Sequence, residues 1–415
     1  MRRSALALLA LLAAAPCAAR GDDTACRVDF LRELGWRIVE RDVATASIVP
    51  GRPCDRADLD EALRAGDLRA TLPRDARARA VAIDALFAHP ATRCAWRYRY
   101  GAATRAAIDR LVANDGFRFS GLQARWVSFG LAGAEARGWR PIASFGRAYV
   151  PSGSNTRAIG AFTQGAVRGE CGLGRQVAQY ATFAELFGPE GFDRMFRADE
   201  IAIGTFRQIE RTASVIRGSG AGEMFADGAG RKSAALGRQA FVGAPGFVVH
   251  VFDRSTLRDP ANQALNFVVY DVDAPAAEAL RRHGGFRRYN ALNRELWALS
   301  RRIDPRDYRG FERLLHARDA KLAARLPEAQ RATLARMHAI LDDAFYRGFR
   351  IYVHDHGVNP VGFHIARELD RNPGTPYRIE LALHNLDTEL FDRYARFRID
   401  ACAAQGGLPA GATTP

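Results

Sequence analysis

The fold is decided by a stretch that begins Arg168-Gly169-Glu170-Cys171-Gly172-Leu173-Gly174. From Leu173 onward, apolar side chains recur at steps of three and four, which is typical of one buried face of an α-helix. The stripe consists of Leu173, Val177, Tyr180, Ala184 and Phe187. Gly188-Pro189 then predicts the end of this helix. The sequence therefore predicts a cysteine at the start of a buried helix.

A cysteine at this position has the surroundings of a reactive thiol. The free amide N–H groups and the dipole at the start of a helix favour a thiolate over a thiol. The glycines beside Cys171 let other backbone approach it closely. Glu170, next to the sulfur, is a candidate for positioning a histidine or a substrate amine. Cys171 is thus the candidate nucleophile, with Glu170 as a candidate helper.

The first residues predict an export signal. Arg2 and Arg3 form a basic start, and the apolar run that follows, residues 5–15, is too short to span a bilayer. Small residues predict cleavage after Ala19. The mature chain is therefore expected in the periplasm or outside the cell, with no transmembrane segment.

The composition narrows the choice of partners. The chain has 60 Lys and Arg against 46 Asp and Glu, a formal net charge of +14. The basic residues are dispersed among acids, which favours solvated surfaces and contact with an anionic cell envelope over a nucleic-acid groove. Hydrophobic residues make up 48% of the chain, enough to build a large core. No nucleic acid is expected as a partner.

Five cysteines remain once the signal is removed: Cys26, Cys54, Cys94, Cys171 and Cys402. Exported cysteines usually pair, and an odd number leaves one free. Among several possible pairings we predict Cys26–Cys402 and Cys54–Cys94. Cys171 is then the free thiol.

The helical and strand patterns divide the chain into segments. We predict a signal peptide (1–19), an N-terminal helical lobe (20–145), a core that carries the chemistry (146–285), a C-terminal helical lobe (286–404) and a disordered tail (405–415). The N-terminal lobe includes a predicted helix over residues 28–43. The C-terminal lobe includes predicted helices over residues 328–346, 359–374 and 385–401.

Two strands in the central segment offer partners for the thiol. Residues 247–252 and 266–271 are β-branched and aromatic, and we predict that they pair as an antiparallel hairpin with a long loop. Attack by a cysteine on an amide needs a histidine to move the proton and a third group to orient the imidazole. His250 and Asn266 can supply these roles if both face the Cys171 helix.

Two alternatives rank below this one. Asp271 and His283 could supply the acid and the base, with His283 at the end of a predicted helix. A cluster of His354, Asp355, His356 and His364 could instead bind a metal. This cluster has no cysteine and no clear scaffold in the sequence, so surface or packing histidines are the favoured interpretation.

The Cys171 region resembles the spore-coat type of bacterial protein-glutamine γ-glutamyltransferase (transglutaminase). The resemblance covers residues 158–196 and depends on Ala158-Ile159, Phe162, Gly165, Glu170-Cys171, Gly188, Phe192 and Phe196. It implies a papain-like, cell-wall-peptidase-like core with a cysteine, an acid and a histidine, of which Cys171 and Glu170 match directly. Where the family has an acid, this chain has Leu265 before Asn266. The resemblance therefore leaves the choice between the two histidines open.

These observations predict an α+β fold with a papain-like core, a cysteine at a helix start against a small antiparallel sheet, and large helical additions at both ends. The resemblance implies transfer of a glutamine acyl group through a Cys171 thioester to lysine or another primary amine of a protein substrate. This reaction needs no metal or organic cofactor. The first alternative is a cell-envelope cysteine peptidase or amidase that uses the same site. The second is a non-catalytic envelope binding protein with a decayed core, which the missing acid before Asn266 favours.

Overall fold

The computed structural model describes residues 23–39, 44–48, 69–119, 138–142, 148–169, 171–204, 209–217, 224–225, 238–250, 264–283, 286–303, 313–371, 376–382 and 386–405. These residues form helices together with small sheets, which confirms the predicted α+β class. The predicted signal peptide and nearly all of the predicted tail lie outside them. Within the described residues, no helix is both long and apolar enough to cross a membrane.

The helices surround and cover the sheets. In chain order they are α1 (Asp23–Glu33), α2 (Ala76–Ala88), α3 (Pro90–Val112), α4 (Asn155–Gln164), α5 (Cys171–Met195), α6 (Ala274–Arg282), α7 (Arg287–Ser300), α8 (Ala320–Ala323), α9 (Glu328–Leu341), α10 (Ala344–Gly348), α11 (Val361–Arg371) and α12 (Asp387–Ala404).

The strands are short. They are β1 (Trp36–Val39), β2 (Ala44–Ile48), β3 (Arg69–Leu72), β4 (Phe117–Phe119), β5 (Trp139–Pro141), β6 (Ala148–Pro151), β7 (Val167–Gly169), β8 (Ile203–Gly204), β9 (Met224–Phe225), β10 (Pro245–His250), β11 (Ala264–Val272), β12 (Phe349–Val353), β13 (Gly357–Pro360) and β14 (Tyr377–Ala382). Strands β1-β2-β3 and β5-β6-β8 form two three-stranded sheets, and β4 pairs with β7 in parallel.

Helix α5 is the centre of the larger hydrophobic core. Its predicted apolar stripe is buried except for the partly buried Ala184, and Leu173, Val177 and Tyr180 are completely inaccessible to solvent. Full burial of an aliphatic side chain contributes about 1.5–3 kcal/mol, so this stripe holds the helix in place. The helix breaks at Gly188, where φ is +66° and ψ is 171°, a conformation that favours glycine. The predicted end of the helix at Gly188-Pro189 is confirmed.

The main sheet has six strands in the order β13-β12-β11-β10-β14-β9, and every neighbouring pair is antiparallel. The predicted hairpin is confirmed, because β10 pairs with β11 and sets Phe247 opposite Asn266. Side chains alternate along β11: Val268 packs into the core of α5, whereas Phe267 and Val269 pack into a second core with α6, α7, α9 and α11. The sheet therefore separates two cores, and its α5 face carries the thiol.

The structure differs from three of the predicted segments. The C-terminal segment is not only helical, because β12, β13 and β14 belong to the same sheet as β10 and β11. Residues 359–374 were predicted to form one helix, but β13 extends to Pro360 before α11 begins. The predicted helix over residues 28–43 ends at Glu33, and β1 follows it. Strands β1 and β13 each pair with a strand that is close in sequence, β2 and β12 respectively, and this pairing overrides the local helical pattern.

The two ends of the described chain are joined covalently. A disulfide links Cys26 of α1 to Cys402 of α12, with 5.7 Å between their Cα atoms, which confirms the predicted pairing. Cys94 is also disulfide-bonded, and its predicted partner, Cys54, lies outside the described residues. Within the described part of the chain, Cys171 is the free cysteine, as predicted.

Removing the Cys26–Cys402 bond is expected to lower the free energy of unfolding by about 2–5 kcal/mol, because the bond closes a long loop in the unfolded chain. The double variant Cys26→Ser/Cys402→Ser avoids leaving an unpaired thiol, and urea unfolding measures the change. Thiol titration of the native double variant should still find the free Cys171, which controls for rearranged pairing. An unchanged unfolding midpoint would contradict the expectation.

Candidate active site

The sulfur of Cys171 is held against the sheet by the residue that faces it. Cys171 is the first residue of α5 and is half-buried. Its Sγ accepts hydrogen bonds from the backbone N–H of Asn266 at 3.4 Å and from Asn266 Nδ2 at 3.1 Å. Donors aimed at a sulfur stabilise its negative form. The helix start and Asn266 therefore favour a thiolate together.

Asn266 reaches the thiol because of its register in β11. It is 7% exposed and lies opposite Phe247 of β10. It is two residues from Val268, which packs into the core of α5, so strand alternation places both on the α5 face. The structure therefore brings together two of the predicted site residues, Cys171 and Asn266.

His354 occupies the other side of the thiol. It directly follows β12, whose Tyr352 pairs with Val268 of β11. Continuing this antiparallel register by two residues sets His354 opposite Asn266, on the face that carries the thiol. His354 thus joins Asn266 in one row across the sheet.

The imidazole of His354 is fixed in one orientation. Its Nε2 lies 3.1 Å from the carbonyl oxygen of Gly169, and because a carbonyl only accepts, Nε2 carries the proton. Its ring lies on Phe117, with 4.8 Å between ring centroids. A Cβ on Gly174 would sit 2.6 Å from the Cβ and 3.1 Å from the Nδ1 of His354, so only glycine fits there. The basic nitrogen, Nδ1, therefore faces the first turns of α5.

The electrostatics keep this imidazole neutral. Burial lowers the pKa of His354 below its ordinary value, and the charge of Asp355 and the hydrogen bond to Gly169 oppose that effect only in part. Asp355 Oδ1 is 4.0 Å from His354 Nδ1, and Asp355 Oδ2 is 3.4 Å from His356 Nε2. A neutral imidazole is the form that can accept a proton. His354 thus has the charge state of a general base and lies on the face of the sheet that α5 covers.

The other predicted bases lie elsewhere. His250 ends β10 in register with Tyr377, whereas Asn266 pairs with Phe247, three positions earlier. Because strand faces alternate, positions 247 and 250 belong to opposite faces of the sheet. The expectation that positions 250 and 266 share the face of the thiol is therefore wrong. The register, which the sequence does not reveal, is the reason.

The second predicted pair is also separated from the thiol. Asp271 Oδ1 lies 3.4 Å from Arg105 Nη1 of α3, five residues along β11 from Asn266. His283 follows the end of α6, whose Leu280 packs into the core on the opposite side of the sheet. The structure therefore does not bring Asp271 or His283 to Cys171. Glu170 lies outside the described residues.

No family model, curated protein or solved structure matches this chain. The site is therefore interpreted from its own geometry. The sequence predicts His354 to be a surface or packing histidine, with a metal ligand as the alternative, and not a base for Cys171. Among the described residues, no group of three or more His, Cys, Asp or Glu is arranged to hold a metal ion. The sequence signals that could have identified His354 are the alternating strand Phe349–Val353 before it and Gly174, three residues after the cysteine.

A second histidine of this region is buried without serving the thiol. His364 of α11 is completely inaccessible, and neither ring nitrogen has a hydrogen-bond partner among the described residues. Burial, followed by the charges of His356, Arg367 and His316, lowers its pKa well below the ordinary value. His364 therefore stays neutral in the folded protein at pH values where an unfolded histidine takes up a proton.

This histidine is expected to make stability depend on pH. Below about pH 6.5 the unfolded chain binds a proton at this histidine that the folded chain does not, so the free energy of unfolding falls as the pH falls. Above that value neither state is protonated, and the loss disappears. For one such histidine, the free energy of unfolding falls by about 2 kcal/mol when the pH is lowered from 7 to 5. Unfolding by urea at both pH values should show a smaller loss for His364→Phe than for the wild type. Equal losses in the two proteins would refute the assignment.

Proposed function

We propose that this chain is an exported thiol acyltransferase that joins protein glutamine side chains to primary amines through a Cys171 thioester. The observation that carries the proposal is the sulfur of Cys171 at a helix start, bonded to two N–H groups of Asn266. His354 lies opposite Asn266 in the extended register and presents its basic nitrogen to the same helix. Cysteine, histidine and amide are the groups that thiol-based acyl transfer requires.

The proposal includes a papain-like core. In such a core a cysteine at a helix start faces an antiparallel sheet that supplies the histidine and the orienting group. Here α5 faces β11 and the end of β12, and the remaining helices are additions around them. The carbonyl of Gly169 orients the imidazole. Asn266 holds the sulfur instead of the ring, so its role differs from that of an orienting amide.

The first half of the reaction forms the thioester. His354 Nδ1 takes the thiol proton, and the thiolate attacks the carbon of a glutamine carboxamide to form the C–S bond. The oxygen becomes an oxyanion, which backbone N–H groups at the start of α5 would stabilise. Collapse of this intermediate breaks the C–N bond, and the proton on His354 leaves with ammonia. The acyl group is then held on Cys171.

The second half transfers the acyl group to an amine. A primary amine attacks the thioester carbon, and His354 Nδ1 takes a proton from it as the C–N bond forms. The C–S bond breaks, and the thiolate and protonated histidine exchange the proton to restore the resting pair. One carboxamide and one amine thus yield one isopeptide bond and one ammonia, with no cofactor consumed.

The proposal also covers location and partners. Proteins that bear glutamine, and lysine or another primary amine, are the proposed substrates. The proposed compartment is the periplasm or the exterior, where the disulfide between Cys26 and Cys402 can form. The net charge of +14 favours contact with an anionic envelope.

The experiment offers the mature protein a glutamine-containing protein with methylated lysines and a fluorescent alkyl amine. We expect label on the glutamine-containing protein and release of an equal amount of ammonia. Release of ammonia without incorporation of the label would show that the site hydrolyses the carboxamide, which is the activity of an amidase, instead of transferring the acyl group. Neither product, from a protein whose Cys171 still reacts with iodoacetamide, would refute both enzymatic functions and favour a binding protein.

A further inference from the structure

The site is one part of a row of residues that crosses the main sheet. Asn266 of β11 pairs with Phe247 of β10, and Phe247 pairs with Glu380 of β14. On the other side, the extended register of β12 sets His354 opposite Asn266. Adjacent strands are about 4.8 Å apart, so neighbouring positions of the row are close together. The row runs His354, Asn266, Phe247 and Glu380.

The first turns of α5 lie across this row. Gly174 meets His354, and Cys171 meets Asn266. Arg175, one turn after the cysteine, places its guanidinium carbon 4.9 Å from the centre of the Phe247 ring. Across the row, the position that Cys171 meets therefore lies between those that Gly174 and Arg175 meet. Arg175 flanks the thiol on the side opposite His354.

Arg175 carries its charge inside the protein. The residue is only 1% exposed, so its guanidinium is held away from water. Its guanidinium keeps its proton at any ordinary pH. Side chains of a helix lean toward its N-terminus, so a residue four positions after Cys171 leans toward it. Away from water, the field of such a charge is weakly screened.

We propose that Arg175 is the positive partner of the Cys171 thiolate, a positioning residue whose buried charge holds the negative charge on the sulfur. The inference rests on the proposed function only in taking Cys171 as the nucleophile. His354 moves the proton, and Arg175 keeps the sulfur ionised after the proton has left. The neutral ring of His354 and the permanent charge of Arg175 thus have separate tasks on opposite sides of the thiol.

Other charged residues neighbour these positions along the chain or across the sheet. Asp355 follows His354, Glu380 of β14 is the backbone partner of Phe247, and Arg168 and Glu170 precede Cys171 in the sequence. The acidic positions oppose a thiolate, whereas Arg175 favours it. An opposite charge near an ionisable group shifts its pKa by about 1–3 units. Loss of Arg175 should therefore raise the pKa of Cys171 measurably.

The test follows alkylation of Cys171 by iodoacetamide as a function of pH in the full mature chain. Only the thiolate reacts, so the midpoint of the rate profile is the pKa of the thiol. Arg175→Met should raise this midpoint by about one unit and slow alkylation about tenfold at pH values below it. Arg175→Lys keeps the charge and should restore much of the rate. It also provides a second variant if Arg175→Met does not fold.

Arg97→Met is the matched control. Arg97 is also largely buried, with a side-chain exposure of 15%, and it bonds Asp387 at 2.9 Å in α12. The Arg97→Met variant should be less stable than the wild type, but the pH midpoint of Cys171 alkylation should not change. An unchanged midpoint in Arg175→Met, or an equal shift in Arg97→Met, would reduce Arg175 to a packing role. Alkylation needs no acyl donor, so a protein that fails to incorporate amines can still confirm or refute this inference.

Discussion

Replacing Cys171 by alanine is expected to reduce amine incorporation to the background of the assay. Within the described part of the chain Cys171 is the free cysteine, and loss of the nucleophile in an acyl-transfer site costs up to about 10⁶-fold in rate. The sulfur is half-buried and accepts two hydrogen bonds from Asn266, and alanine is smaller than cysteine, so the fold should survive the change. Incorporation of a fluorescent amine into a glutamine-containing protein measures the effect.

The control for this prediction is the folded state of the variant. Thermal unfolding of Cys171→Ala should stay within a few degrees of the wild type, and the disulfide between Cys26 and Cys402 should be intact. A mass spectrum of wild-type protein with glutamine donor and no amine should show an adduct that the variant lacks. Full activity of a folded Cys171→Ala variant would contradict every mechanism that uses this thiol as the nucleophile.

Replacing His354 by glutamine is expected to lower kcat/KM for amine incorporation by about 10²–10⁴-fold, the usual contribution of a general base. The glutamine amide can still donate to the carbonyl of Gly169, as Nε2 of the imidazole does. It has no basic nitrogen to take the proton of Cys171. The variant therefore separates the chemistry of His354 from its hydrogen bond.

His250→Gln and His283→Gln are the matched controls for this variant. The sheet register sets Phe247, not His250, opposite Asn266, and His283 follows a helix on the other side of the sheet. Both variants should keep nearly full activity. Activity that is lost in His250→Gln or His283→Gln and kept in His354→Gln would overturn the assignment of the base. The same kinetics would then identify the correct histidine.

The elements that depend on local pattern could be predicted from the sequence. The apolar stripe from Leu173 to Phe187 repeats at helical spacing, and the break at Gly188 follows from glycine and proline chemistry. The hairpin of β10 and β11 follows from its β-branched and aromatic residues. Cysteine parity predicted the free thiol. These signals each lie within a short stretch of the chain.

The base could not be predicted, because its position depends on pairing between distant segments. His354 lies opposite Asn266 only because β12 pairs with β11 in one particular register. A shift of one residue would turn it to the other face. Strand β12 is short and directly follows helix α10, so its alternating pattern is weak beside the helical signals around it. The prediction of His250 requires that positions 250 and 266 share one face, whereas the register of β10 and β11 places them on opposite faces.

The bond between Cys26 and Cys402 makes the chain between them a covalent ring. A single backbone cut in any loop between these residues leaves one connected molecule, so a nicked protein keeps its full mass until the bond is reduced. Tension applied at the two ends is carried by sulfur, and α1 and α12 cannot be peeled from the core by pulling. The ring therefore keeps the two segments on either side of a single cut connected, as long as the bond stays oxidised.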